Sequence, residues 1–334
     1  MSEKFLIETF ADYKSARYKP LEIDFLEATK KSLNDDLPPV KKFLLNELSK
    51  AIGDACKIQS REKISCAFMS VSLLNASVAV GKNILQIDFY DAKWVFGEPF
   101  ARSRMSADFL LTHWQKFTTD ALDDKFFVRN KISQVEIKSL FWRTLDKLAF
   151  LFTCYAKYFA AELKTSPEFA ALDKAENFYL TCGTYLDWQN RLCAVLPEVD
   201  LLNPDANEDM TFRDFRGKIF RQENFSDLDL RGCCFEDCLF RSCTFTNLNF
   251  ADANFLRCRF FSSCFDGVKL AGAEFVECKF KDCAFKNSSA APKAVDADEY
   301  FAPLRLTRCK IFNVSRDGCD FAQLIKTDCD EVNA

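Results

Sequence analysis

From Phe215 to Phe285 every fifth residue is Phe or Leu, without a slip. The column reads Phe215, Phe220, Phe225, Leu230, Phe235, Phe240, Phe245, Phe250, Phe255, Phe260, Phe265, Leu270, Phe275, Phe280, Phe285. A second column stands two residues earlier and is apolar or small: Leu228, Cys233, Cys238, Cys243, Leu248, Ala253, Cys258, Ser263, Val268, Ala273, Cys278, Cys283. Positions i and i−2 point to one side of an extended segment. Each five-residue unit therefore sends one large and one smaller side chain inward. Five is neither the helical period nor the strand period, so the chain must turn after every short extended stretch. Like residues also recur every twenty positions, as in Cys238, Cys258 and Cys278, or Leu230, Phe250 and Leu270. Stacked twenty-residue coils satisfy both periods, because each coil buries the edges of its neighbours.

The triplet Ala253-Asn254-Phe255 fits the pattern A-(D/N)-L-x-x, with Phe for Leu, and Leu248-Asn249-Phe250 and Ala273-Glu274-Phe275 come close. This stretch resembles the pentapeptide-repeat family. The resemblance implies a right-handed quadrilateral β-helix with four repeats per coil. Cys in place of Ala at many i−2 positions is a departure that a small buried hydrophobe tolerates. The segment at about 286–304, with two Pro and the acidic stretch Asp296 to Glu299, is expected to leave the coil. Cys309/Ile311 and Cys319/Phe321 then restore the pairing, shifted by one residue, with Leu324 and Cys329 in the inward column, which predicts a degenerate last coil.

Eleven of the sixteen Cys follow residue 230. Their five-residue steps do not make the C-x₂-C knuckles of a metal site, so they read as reduced core filler. Cys234 and Cys264, at i−1, are expected to be the more exposed repeat thiols.

The first two hundred residues follow other rules. Helices are expected over Asp24–Leu33, Val40–Gln59, Met105–Asp120, Ile132–Lys164 and Asp173–Leu196, and a β-hairpin over Lys63–Val80 and Asn83–Tyr90. Trp142, Tyr155, Tyr185 and Trp188 fall on the helical patterns and are expected in the core. The fold class is thus an α-rich (α+β) N-terminal domain (1–200), a junction (201–212), and the pentapeptide-repeat β-helix (213–334). A β-helix end exposes unpaired backbone and core Phe, so the helical domain is expected to cap the first coil.

Counts restrict the chemistry. His occurs once, at His113, so a multi-His metal site is excluded. The nine Gly never form G-x-G, so neither phosphate-binding glycine loop is present. No catalytic, cofactor or metal residue is assigned; His113 beside Trp114, with Asp108 near in sequence, reads as structural. The net charge of −4 speaks against direct nucleic-acid binding. No apolar run is long enough to span a bilayer, and the start of the chain lacks a signal-peptide core, so a cytoplasmic protein is expected.

The coil surface carries more information. From Arg213 to Phe285 there are eleven basic and eleven acidic residues. On a four-sided coil the side of Phe215, Phe235, Phe255 and Phe275 displays Asp214, Glu236, Asp237, Glu274 and Glu277 against Arg216 and Arg257. The next side displays Arg221, Arg241, Arg259, Lys279 and Lys281 against Asp282, with Phe261 as an apolar anchor. The basic side, and Trp94 and Phe96 on an aromatic loop, are the candidate partner-binding residues. The function expected is a non-enzymatic protein–protein interaction scaffold whose partner the sequence does not name. The family resemblance offers an alternative, a DNA-mimicking binder of type II topoisomerase (gyrase), although those proteins are long acidic rods and this coil is short and balanced. A further alternative is a targeting module fused to an unrecognised effector domain. The resemblance also implies that a coil end can dimerise, unless the segment after 286 blocks it.

Overall fold

A computed structural model describes residues 9–123, 132–205, 208–290, 303–321 and 324–332. Contacts divide the chain into two compact units: Met1–Asp173 with Leu180–Asn190, and Lys174–Tyr179 with Arg191–Ala294 and Glu299–Ala334.

The first unit opens with α1 (Phe10–Tyr13), a π turn, α2 (Lys19–Asp35) and α3 (Leu37–Glu62), where Pro38 and Pro39 sit in the first turn and need no intrahelical donor. Then follow β1 (Cys66–Leu73), α4 (Asn75–Ala79), β2 (Ile84–Tyr90), β3 (Ala101–Ser106), α5 (Trp114–Ala121), α6 (Gln134–Leu163) and α7 (Pro167–Ala171). A Ser133/Glu136 capping box starts α6. The strands β4 (Lys174–Thr184) and β5 (Gln189–Val195) complete a five-stranded sheet in the order β3-β2-β1-β4-β5.

Three expectations are corrected here. The pairing of β1 with β2 is antiparallel as expected, but α4 occupies the connection, so it is not a tight hairpin. Met105 belongs to strand β3, and the helix begins only at Trp114. The segment Asp173–Leu196 is not a helix but the two strands β4 and β5. Its alternation is strand-like, with Phe178, Leu180 and Cys182 fully buried, and Thr181 between them is β-branched. The turn between the strands holds Tyr185 and Trp188, neither of them a helical core residue, and Leu186 takes φ 54° there. Gly183 is required, because a Cβ would come 2.2 Å from the Trp188 carbonyl. Of the other two aromatics, Tyr155 is buried and Trp142 is 46% exposed.

The second unit contains the coil. Its strands are three residues long, and each is centred on an inward position. Three columns of in-register parallel strands form three faces. The first is centred on Phe215, Phe235, Phe255, Phe275, Leu306 and Lys326. The second is centred on Phe220, Phe240, Phe260, Phe280, Ile311 and Glu331. The third is centred on Phe225, Phe245, Phe265, Phe285 and Arg316. The fourth face has single bridges at Asp229, Asn249, Lys269, Ser289 and Asp320. These four faces make a quadrilateral β-helix.

The period of five has a backbone cause. Every residue at i+2, from Gly217 through Gln222, Asp227 and onward to Asn287, takes a left-handed φ. One such residue per side folds the chain through a corner. Gly, Asn and Asp hold most of these corners because they reach that region at least cost. Inside, the Phe rings stack coil on coil, for example Phe235 on Phe255 at 4.9 Å and Phe255 on Phe275 at 4.4 Å. Most i−2 thiols donate to the carbonyl of an inward residue one coil back, as Cys258 does to Phe235 at 3.2 Å. Leu201 and Met210 join the same core, and Arg213 bonds the Pro197 and Asp209 carbonyls at the start of the coil.

Bridges of the coil run to Ser289, later than the expected break at 286, and strands resume at Arg305. Phe275 pairs with Leu306, 31 positions on rather than 20, and the register is kept. The acidic stretch Asp296 to Glu299 lies outside the described residues. In the last coil three inward positions are charged: Arg316, Lys326 and Glu331 sit opposite Phe285, Leu306 and Ile311. Glu331 pairs with both cations, with Arg316 at 3.1 Å. An ion-paired layer thus follows the last aromatic layer.

Candidate functional site: the cationic face of the coil

On the second face two outward columns flank the buried ring. The column before it reads Ile219, Leu239, Arg259, Lys279, Lys310, Asp330, and the column after it reads Arg221, Arg241, Phe261, Lys281, Phe312, Val332. Parallel strands about 4.8 Å apart make this face about 24 Å tall. It brings the five predicted cations Arg221, Arg241, Arg259, Lys279 and Lys281 together with Phe261. It adds two residues that sequence reasoning missed, Lys310 and Phe312. Their signal was present in the pairing of Cys309 with Ile311, since Lys310 and Phe312 flank the inward Ile311.

Two of the cations lie against the rings. Arg241 lies 5.8 Å and Lys279 5.9 Å from the Phe261 centroid, and Lys279 lies 5.5 Å from that of Phe312. Each such contact contributes about 0.5–1 kcal/mol at an exposed site. The rings cover apolar stems and leave the charged heads outward. Among the described residues, none of the six cations has a carboxylate within ion-pair distance, and Asp282 instead accepts from Asn313.

The first face behaves differently from its sequence reading. Its carboxylates are largely consumed by its own arginines. Arg257 bridges Glu236 at 2.6 Å and Asp237 at 2.8 Å, Arg216 reaches Glu236 at 3.2 Å, and Arg308 reaches Glu277 at 2.8 Å. The Arg257 guanidinium holds the Asp237 carboxyl below its usual range. The acidic lean is therefore self-neutralised, whereas the basic lean of the second face is not.

The other candidates resolve locally. Trp94 stacks flat on Phe68, with centroids 4.5 Å apart, and Phe96 is 95% exposed; both belong to the first unit. His113 precedes α5 and its Nε2 shares a hydrogen bond with the Ser32 hydroxyl at 2.9 Å. Asp108 accepts from Ser106 and Asn83, which hold its carboxyl below the usual range. All sixteen cysteines are free thiols. Cys234 and Cys264 are half-buried, but so are Cys319 and Cys329 in the last coil, which corrects the expectation that the first two stand alone. Burial pushes the Cys233 thiol up to about 12 and raises Cys243 and Cys283. Among the described residues no cluster of His, Cys, Asp or Glu could hold a metal ion, and no helix is long and apolar enough to cross a membrane.

Coils of four five-residue sides, parallel pairing every twenty residues and a stacked Phe interior define a pentapeptide-repeat β-helix. Three solved structures are similar to this region. Rfr23, a pentapeptide-repeat protein of the cyanobacterium Cyanothece 51142, is 11% identical, covering 36% of this chain and 90% of that one, with a TM-score of 0.25. QnrB1, a plasmid-mediated fluoroquinolone resistance protein, is 16% identical over 36% of this chain and 72% of that one, with a TM-score of 0.22. HetL, a pentapeptide-repeat protein involved in heterocyst differentiation regulation in Nostoc, is 9% identical over 37% and 90%, with a TM-score of 0.13. The family model of the SV2A/B/C luminal domain matches residues 209–285, the same repeat stretch. No curated protein matches the sequence.

Proposed function

We propose that this chain is a non-enzymatic, cytoplasmic interaction scaffold that docks an acidic protein surface on the second face of its coil. The observation that carries this reading is the contrast between neighbouring faces. One spends its charges on itself, and the other leaves six cations unpaired around two aromatic rings. A rigid parallel face fixes the spacing of those charges before a partner arrives, so little ordering entropy is lost on docking. Complementary charge then sets orientation and on-rate. The self-neutralised first face leaves little free acidic charge there for the topoisomerase alternative.

The test is partner capture by the full chain and by Arg241→Glu/Lys279→Glu, compared at low and high salt. Acidic proteins retained by the wild type should be lost by the double variant and by salt. Equal capture by both would refute the face assignment.

A further inference from the structure

The first unit carries a second cationic feature that the scaffold reading does not use. On one face of the sheet, two cross-strand rungs run from the interior to the edge strand β3. One is Ser70–Asp88–Arg102, and the other is Ser72–Gln86–Arg104. Asp88 and Gln86 are 1% and 2% exposed. Buried polar groups of this kind must be satisfied by bonds, and here the bonds run between the two groups and out to the edge strand. Asp88 accepts from Arg102 Nε at 2.7 Å, from Gln86 Nε2 at 2.9 Å and from the Tyr90 hydroxyl at 3.3 Å. Gln86 Oε1 in turn accepts from Arg104 Nε at 3.1 Å. Arg102 also donates from a terminal nitrogen to the Tyr185 hydroxyl at 3.2 Å.

Both guanidiniums are thus anchored at Nε by buried acceptors, which restrains their planes, and both side chains belong to exposed residues of the edge strand, Arg102 with one terminal nitrogen on Tyr185. Asp88 needs only one cation for neutrality, and that cation is Arg102. The buried amide of Gln86 nonetheless reaches out to orient a second, Arg104, which has no ion pair among the described residues. Two cations against one carboxylate leave one positive charge on the face. A further donor on this face is unmet. Phe68 stands opposite Tyr90, Trp94 stacks on Phe68, and the buried Trp94 indole N–H has no hydrogen-bond partner. Trp94 also holds a left-handed backbone, φ 46°, a strained conformation of the kind that concentrates at ligand sites.

We infer that Arg102 and Arg104 form a binding site for a phosphoryl oxyanion, taken from a small phosphorylated ligand. Residues i and i+2 of a strand put the two Cα atoms about 6.8 Å apart on one face, close enough for one phosphate to meet both side chains or for a diphosphate to give one phosphoryl group to each. A planar guanidinium held at Nε donates in pairs to such oxygens, which an ammonium cannot do.

The experiment is calorimetric titration of the full chain with inorganic phosphate, inorganic pyrophosphate and a nucleoside diphosphate, with malonate as a carboxylate control. Saturable one-to-one binding of the phosphoryl probes is expected, with malonate weaker. Arg104→Ala should weaken it by about tenfold, and Arg104→Lys, which keeps the charge but loses the fork, by at least about threefold. Arg241→Glu on the coil should leave it unchanged, which separates this site from the docking face. Tighter binding of the nucleoside diphosphate than of pyrophosphate points to an organic ligand, and the reverse to the free anion; either supports the site. The inference is overturned by an absence of saturable binding at millimolar probe. It is equally overturned by affinity that survives Arg104→Ala in a variant whose far-UV circular dichroism and thermal midpoint match the wild type.

Discussion

Replacing Phe255 by Ala should be among the most damaging single changes in the coil. Phe255 is 2% exposed and stacks between Phe235 and Phe275, with centroids 4.9 Å and 4.4 Å away. The edges of Phe250 and Phe260 meet it at 5.3 Å and 5.8 Å. Removing a buried Phe costs about 3–5 kcal/mol, and stacked pairs each add about 0.5–1.5 kcal/mol, part of it already inside that range. The cavity opens in mid-stack, where each coil depends on its two neighbours, so the upper half of the range applies. A loss of about 4 kcal/mol, at an m-value of about 2 kcal/mol/M, lowers the urea midpoint of the coil by about 2 M. Urea unfolding followed by far-UV circular dichroism reads this shift. Phe261→Ala, outward and half-buried, is the internal control; it loses two cation–ring contacts and should cost only about 1–2 kcal/mol. Equal midpoints for the two variants would refute the inward column as the source of stability.

Other consequences follow from the corners and from the end of the coil. Gln222 is exposed and held at φ 58°, so Gln222→Gly should raise coil stability by up to about 1 kcal/mol, read as a higher urea midpoint. Gly232→Ala should do the opposite, because its Cβ would meet the Phe212 ring at 2.3 Å. In the last coil the Lys326 ammonium, with help from Arg316, holds the Glu331 carboxyl below its usual range. A depressed carboxyl stabilises the fold above its unfolded pKa and loses that effect as pH falls through its folded pKa. The thermal midpoint of the coil should therefore drop more steeply below about pH 4 in the wild type than in Glu331→Gln. Replacing Arg316, Lys326 and Glu331 together by Leu would exchange the ion pairs for an apolar layer, and sedimentation should then show stronger concentration-dependent self-association than in the wild type.

The stacked interior was legible because each turn of the coil repeats one demand, a large apolar residue at i, and Phe answers it at almost every step. The corners were legible in principle. The i+2 column holds Gly217, Asp227, Gly232, Asp237, Asn247 and Asp252, the residue types that reach positive φ most cheaply, but Gln222, Arg257 and Glu277 interrupt it. The last coil was only partly legible, since Arg316, Lys326 and Glu331 replace the apolar marker that identifies an inward position. Arg221, Arg241, Arg259, Lys279 and Lys281 were visible as a face once the twenty-residue coil was fixed. Lys310 and Phe312 stand one phase off after the break before Arg305, and only the pairing of Cys309 with Ile311 marks them. Strands β4 and β5 were misread because short apolar spacings fit both periods, and only pairing within the sheet decides between them. The Arg102 and Arg104 pair was invisible, since nothing local in sequence tells that Gln86 and Asp88 stand opposite them.

The central claim is that the second face meets an acidic partner with charges the coil leaves unpaired. Its most direct test is a binding isotherm for a fluorescent polyglutamate peptide, measured against salt, with a mixed-sequence oligonucleotide of equal charge in parallel. The account predicts that the peptide binds, that affinity falls with salt, and that Arg241→Glu/Lys279→Glu abolishes it while Arg216→Glu on the first face does not. Peptide binding indifferent to the double reversal, or a strong preference for the oligonucleotide, would contradict it.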